Sequence, residues 1–312
     1  MNGQINGKRD FLTIWDLSKD EIENLIKRAL ELKSGADKNK CPLIGKSIGL
    51  FFEKPSTRTR VSFEVGVYQL GGQSIYLNPK EIQLGRGESI SDTARVLSRY
   101  LNGIILRTYS HSSVEEFASH ATVPVINGLS DLHHPCQALA DLMTIMEKKG
   151  RLKGIRLAYI GDGNNVANSL IEAAARTGIN ITIACPEGYE PDPDVLDRAR
   201  TFVKDSAYAG EIIILRNPKE AAGMADVIYT DVWVSMGQEG EAEKKKSKFR
   251  NYQINSQLLQ CAKQDVIVLH CLPAHRGEEI TDEVMDGPNS TVFDQAENRL
   301  HTEKALLEFL IR

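Results

Sequence analysis

Residues 51 to 60 read Phe51-Phe52-Glu53-Lys54-Pro55-Ser56-Thr57-Arg58-Thr59-Arg60, which places three hydroxyls and two guanidinium groups within five positions. Upstream, Ile48, Leu50 and Phe52 alternate as a strand does. Downstream, Phe63, Val67 and Leu70 recur at helical spacing until Gly71-Gly72 stops them. Ser56 therefore falls where a helix N-cap belongs, at the mouth of a strand-to-helix turn. A helix start offers unpaired backbone N–H groups and the positive end of a dipole, which suits a phosphate. The flanking hydroxyls and arginines exceed what capping a helix requires.

Other chemistry-bearing residues stand at comparable places. Arg107 ends the apolar run Gly103–Leu106, and Asp131-Leu132-His133-His134-Pro135-Cys136-Gln137 follows the run Val123–Ile126. Asp231 ends Val227–Thr230, and His270-Cys271-Leu272-Pro273 ends Val266–Leu269. Pro135 is acceptable in a first helical turn, and Leu139, Leu142, Met143 and Met146 continue at helical spacing to Gly150.

Positioning these residues takes a regular scaffold. After a first helix with the stripe Ile22, Leu25, Ile26 and Leu30, strands and helices alternate through both halves of the chain. That alternation predicts an α/β fold with two doubly wound, mostly parallel sheets and helices on both faces. In such sheets ligands bind outside the carboxyl ends of the strands, where the residues above gather. Charged Glu147-Lys148-Lys149-Gly150 precedes a restart of the pattern at Arg156–Ile160, so 1–150 and 151–289 read as two domains. A short run Val292-Phe293 and a helix Glu303–Ile311 close the chain, and the stretch 290–312 is expected to pack back on the first domain. Gln238 to Arg250 reads as a hydrophilic loop, with a lid over the site as its functional alternative.

Composition narrows the class. The 312 residues are 41% hydrophobic and 26% charged, enough apolar material for two cores. A formal charge of −4 favours neither nucleic acid nor an anionic membrane surface. No apolar run approaches the ~20 residues that span a bilayer, and Met1 to Asp10 lacks the apolar core of a secretion signal. Five cysteines at irregular positions fit reduced thiols in the cytoplasm.

Three competing chemistries are weak. Gly161-x-Gly163 follows a strand, yet Val166 holds the third glycine position of a dinucleotide fingerprint, and Cys185-Pro186 stands where a ribose-binding acid is expected. His133, His134, Cys136, His270, Cys271 and His275 do not fall at zinc-site spacings. No G-x-S-x-G turn supports a serine hydrolase.

Taken together and in order, four motifs resemble those of the carbamoyltransferases, most closely the members that use ornithine. Phe52 to Arg60 is similar to the family's carbamoyl-phosphate loop, and His134-Pro135-Cys136-Gln137 to its H-P-x-Q element. Asp231-Val232-Trp233-Val234-Ser235-Met236-Gly237 and His270-Cys271-Leu272-Pro273 resemble the two pieces that separate ornithine-using from aspartate-using members. The resemblance runs from Phe11 to the final helix.

It implies that Ser56, Thr57, Arg58 and Thr59 hold the phosphate of carbamoyl phosphate. Arg107, His134 and Gln137 would hold and polarise the carbamoyl group, Pro135 and Cys136 would line the same site, and Arg299 would add a cation. Gln83 would reach a neighbouring subunit's site, implying a homotrimer with active sites at subunit interfaces. Asn165, Asp231, Ser235 and Met236 would bind ornithine, with Cys271 and Leu272 at the junction of the two substrates. Arg107, His134, Asp231 and Cys271 would be catalytic, in a cleft, with no metal or cofactor. The implied reaction is attack by the δ-amine on an acyl-phosphate carbonyl. Transfer to putrescine or a modified ornithine is the alternative within the family, and the intact Ser235-Met236-Gly237 argues against it. A regulatory protein of the same fold would have no need of Arg58, His134, Asp231 and Cys271 together.

Overall fold

The computed structural model describes residues 7–35, 37, 40–78, 87–206, 210–234, 240 and 242–311. The chain divides into two compact units, Met1–Ala140 with Asn298–Arg312, and Asp141–Glu297. Each is built on its own parallel sheet.

In the first unit the strands are β1 (Ser47–Phe52), β2 (Gln73–Leu77), β3 (Gly103–Arg107) and β4 (Val125–Leu129), in the order β2-β1-β3-β4. Every pairing is parallel, with Phe52 opposite Arg107. From Ile48 to Phe52 every residue of β1 is buried, as is all of β3, so the alternating Ile48, Leu50 and Phe52 stand within a strand covered on both faces. Phe51, Leu101, Ile104, Leu106, Phe117 and Val125 belong to one core. The chain adds β2 on one side of β1 and β3 on the other, so the order reverses between β1 and β3. A crevice opens at such a switch point, beyond the carboxyl ends of the two strands.

The second unit repeats the plan with five strands. These are β5 (Arg156–Ile160), β6 (Asn180–Ala184), β7 (Ile212–Leu215), β8 (Val227–Thr230) and β9 (Ile267–His270). Their order is β7-β6-β5-β8-β9, again all parallel. Here the order reverses between β5 and β8. Ile160, Ile228, Trp233, Phe249, Val268 and Ile280 lie in its core.

Three expectations need correction. The fourth strand starts at Val125 and not Val123, after Pro124, which has no N–H to donate although its carbonyl accepts from the Ile104 N–H at 3.0 Å. Within the supposed hydrophilic loop, Ala242–Phe249 is a helix. Its charges hid it, because its inward positions are Lys245 and Phe249, an i,i+4 pair of which only one is apolar. Val292–Leu310 is one continuous helix and not a short run followed by a separate one. Polar Gln295, Asn298 and Arg299 are buried on it and break the apolar periodicity. Among the described residues, no helix is long and apolar enough to cross a membrane.

Candidate active site

At the switch point of the first unit, Ser56 caps the helix Thr57–Gln69, its Oγ accepting from the Thr59 backbone N–H at 3.2 Å. The cap aims the first turn at the ends of β1 and β3. Thr59 lies on the inner side of that turn, 1% exposed, and its hydroxyl lies 3.4 Å from Arg107 Nη1 and 3.3 Å from Arg299 Nη2. Arg299 reaches the same place from the closing helix and donates from Nη1 to Gln137 Oε1 at 2.8 Å. Three separate chain segments thus meet at one hydroxyl, and a fourth joins them through Gln137 on Arg299.

His134 is buried beside them. Burial, and then the guanidiniums of Arg299, Arg107 and Arg58, hold its imidazole well below the usual 6.5, so it is neutral at physiological pH. A neutral imidazole keeps one N–H to donate. Lys54 is likewise lowered, first by burial and then by Arg107. Pro135 opens the helix Pro135–Lys149 and is buried. Cys136 is 1% exposed, its thiol pushed up by burial and donating to Asn127 O at 3.4 Å. Thr57 is exposed and Arg58 half-buried on the same first turn. Gln83 lies outside the described residues.

The second unit brings a different set together at its own switch point. Thr230 pairs with His270, so Asp231 and Cys271 are the next residues along neighbouring strands. Cys271 Sγ lies 2.9 Å from Asp231 Oδ1, and the Val232 backbone N–H donates to that same oxygen at 2.8 Å. Asn164 donates from Nδ2 to Asp231 Oδ2 at 2.7 Å, while its own Oδ1 caps the helix Asn165–Thr177. Sequence reasoning passed over Asn164. Its signal was available, since an Asn just before an apolar helix is a cap whose amide N–H₂ is left to point elsewhere. Asn165 is half-buried in the first turn of that helix. Ser235 and Met236 lie outside the described residues.

Leu272 has a φ of 58°, a left-handed conformation unusual for a branched residue, and its N–H donates to His270 Nδ1 at 2.9 Å. The other ring nitrogen, Nε2, donates to Glu279 Oε1 at 3.1 Å. His270 therefore has both ring nitrogens committed, although Asp231, His270 and Cys271 cluster closely enough to suggest a metal.

A further pair escaped sequence reasoning. Lys245 Nζ lies 2.6 Å from Asp162 Oδ2, both side chains nearly buried, and its ammonium sits 5.4 Å from the Tyr189 ring centroid. Burial raises the Asp162 carboxyl, and Lys245 opposes that. The pair fastens the helix Ala242–Phe249 to the turn that carries Asn164. In that turn Gly161 has a φ of +151°, and a Cβ on Gly163 would lie 2.2 Å from Pro191 N. Both glycines answer to backbone geometry and packing, without reference to a nucleotide.

These arrangements have close counterparts. Residues 9–147 match the pattern described as aspartate/ornithine carbamoyltransferase, carbamoyl-P binding domain, and residues 153–310 match its Asp/Orn binding domain. An ornithine carbamoyltransferase from Syntrophus aciditrophicus is 55% identical over 97% of this chain and all of that protein. One from Thermococcus kodakarensis is 54% identical over 97% of this chain and 96% of its own length. Among solved structures, ornithine carbamoyltransferase from Pyrococcus furiosus superposes with a TM-score of 0.92 at 52% identity, covering 97% of each chain. The anabolic enzyme from Campylobacter jejuni gives 0.91 at 41%, covering 97% of this chain and 98% of its own. The chain belongs to the aspartate/ornithine carbamoyltransferase family.

Proposed function

We propose that this chain transfers the carbamoyl group of carbamoyl phosphate to the δ-amine of L-ornithine, giving L-citrulline and phosphate, in arginine metabolism. The observation that carries the reading is the capped helix start at Ser56 with Arg107, Arg299, Gln137 and His134 packed beside it. Such a cluster suits a compact dianion joined to a polar carbonyl. The domain reading is part of the proposal: 1–150 with 290–312 for carbamoyl phosphate, 151–289 for ornithine.

The chemistry requires two reactants held in line and a developing oxyanion stabilised. Ser56, Thr57, Arg58 and Thr59 hold the phosphate through backbone N–H groups, hydroxyls and a planar guanidinium fork. Arg107 and neutral His134 donate to the carbonyl oxygen as it gains charge, and Gln137 and Arg299 fix the rest of the group. The attacking amine has an ordinary pKa near ~10 and must shed a proton to react. Asp231, held by Asn164 and the Val232 N–H, orients the amine's hydrogens, and Cys271 shares that contact. The carbonyl carbon gains a bond to nitrogen and loses its bond to the phosphate oxygen. The first proton of the ammonium goes to water before attack, and the departing phosphate takes the second, released as the carbon–nitrogen bond forms.

A homotrimer completed by Gln83 from a neighbouring subunit belongs to the same proposal. So does a cytoplasmic setting, which five cysteines outside any disulfide suit. The test is colorimetric detection of the carbamoylated amine from carbamoyl phosphate with ornithine, aspartate or putrescine supplied separately. Product with ornithine alone is expected. Product with another amine alone would overturn the acceptor assignment.

A further inference from the structure

The reaction above uses Arg299 but leaves a buried carboxylate one helical turn beyond it unexplained. Glu303 is 1% exposed, and its Oε1 accepts from Arg299 Nε at 2.9 Å and from Nη2 at 2.6 Å. That same guanidinium turns its remaining edge to Thr59 Oγ1 and Gln137 Oε1. The charge balance explains what such a group can do. Arg58, Arg107 and Arg299 all act on one buried imidazole, so three like charges crowd a region largely shut off from water. Mutual repulsion is strong there, and a long side chain left to itself would swing away until an anion arrived. A buried carboxylate is itself costly unless paired, so its place here needs a reason, and the Arg299 pairing supplies one.

We propose that Glu303 is a positioning residue for the phosphate site, clamping the Nε–Nη2 edge of Arg299 so that the Nη1–Nη2 end of the guanidinium faces the anion before the anion binds. The inference rests on the carbamoyl-phosphate reading of this cluster. Glu303 touches no substrate. It acts through Arg299 by supplying a fixed counter-charge and a two-point acceptor on one side of the guanidinium. Preorganisation of this kind lowers the ordering cost of binding and so appears in affinity.

Two variants of the full chain test it, Glu303→Gln, which keeps shape and one acceptor oxygen without charge, and Glu303→Leu, which removes both. Binding of carbamoyl phosphate and of inorganic phosphate is measured by calorimetry, beside KM for ornithine and a thermal melt. In E303L both anions should bind about tenfold more weakly, the loss of a hydrogen-bonded charge partner, with KM for ornithine held within twofold. E303Q should fall between E303L and wild type. A structural role alone would lower the melting temperature and leave anion affinity where it was, which overturns the proposal. Tighter anion binding in either variant overturns it too, since Glu303 would then be a competitor for Arg299. If E303L does not fold, E303Q decides on its own, and affinity equal to wild type sinks the idea. A wild-type chain that binds neither anion defeats the carbamoyl-phosphate reading itself, whereas a wild type that binds with variants that bind equally defeats only the role given to Glu303.

Discussion

The two switch points show opposite ways to build a site. In the first unit, cations from β3, the helix Thr57–Gln69 and the closing helix press around buried Thr59 and His134, and the positive charge is only partly neutralised by Glu303. In the second, a single carboxylate, Asp231, is steadied by Asn164, the Val232 N–H and the Cys271 thiol, neighbours that carry no positive charge. The first cluster concentrates positive charge, which suits an anion. The second leaves a carboxylate available to a cationic or amine-bearing group, since hydrogen bonds orient it without cancelling its charge. The sheet plan is shared, so the difference comes from the side chains set at the strand ends.

If that division is correct, each cluster can be broken without touching the other substrate. The largest effect is expected at Arg107. Replacing it with methionine removes a buried donor from the developing oxyanion and should lower kcat/KM by about 10³-fold. Phosphate affinity should fall with it while ornithine KM stays close to wild type. A loss smaller than tenfold would remove Arg107 from the reacting centre.

Next comes Asp231→Asn. The amide keeps the size of the group and its bond network in part, but loses the charge that attracts the amine. Turnover should fall about 10²-fold, carried mainly by ornithine, with calorimetric phosphate binding unchanged. Weakened phosphate binding in this variant would contradict the separation of the two clusters. Cys271→Ala should cost about tenfold, the worth of one hydrogen bond to a charged group, again on the ornithine side. Equal loss on both substrates would mark Cys271 as structural.

The contrast also separates what the chain discloses from what it conceals. The clustering around Thr59 was legible because its cap, hydroxyls and arginines are contiguous in sequence, and because strand ends in an α/β plan predict where Arg107 and His134 arrive. Asp231 and Cys271 were legible by the same strand-end logic. Asn164 was legible as a helix cap but not as the partner of Asp231, 67 residues away, and Lys245 and Glu303 were not legible, since each is buried against a charged partner in a segment whose pattern favours another explanation. Lys245 lies in a run of lysines that reads as a solvated face, yet it is 6% exposed and paired with Asp162. Periodicity reports which positions are apolar, and a buried ion pair is invisible to it. The same blindness split the closing helix in two at Gln295, Asn298 and Arg299.

A smaller effect is expected at Ser56→Ala. Losing the cap should cost ~1 kcal/mol of stability, lowering Tm by roughly 2–4 °C, because the Thr59 N–H loses its acceptor. Phosphate affinity should fall only a fewfold, since the backbone N–H groups of the first turn remain. A collapse in affinity equal to that of Arg107→Met would shift the weight of anion binding from the arginines to the serine hydroxyl.

The smallest effect is an absence of titration. His134 is kept neutral by burial and by Arg299, Arg107 and Arg58, so it should show the nitrogen resonances of a neutral ring from pH 8 down past 6.5 in long-range ¹H–¹⁵N spectra. Comparison with His134→Gln identifies its signals among the seven histidines. The unfolded chain takes up that proton more readily than the folded one. This part of the stability is therefore complete above pH 6.5 and is lost as the pH falls from there toward the depressed folded value. Wild type should accordingly lose more Tm than His134→Gln on going from pH 7 to pH 5. A cationic ring near pH 6.5 would mean that the three guanidiniums do not converge on it, and the contrast between a positively crowded first cluster and a carboxylate-centred second one would fail at its first step.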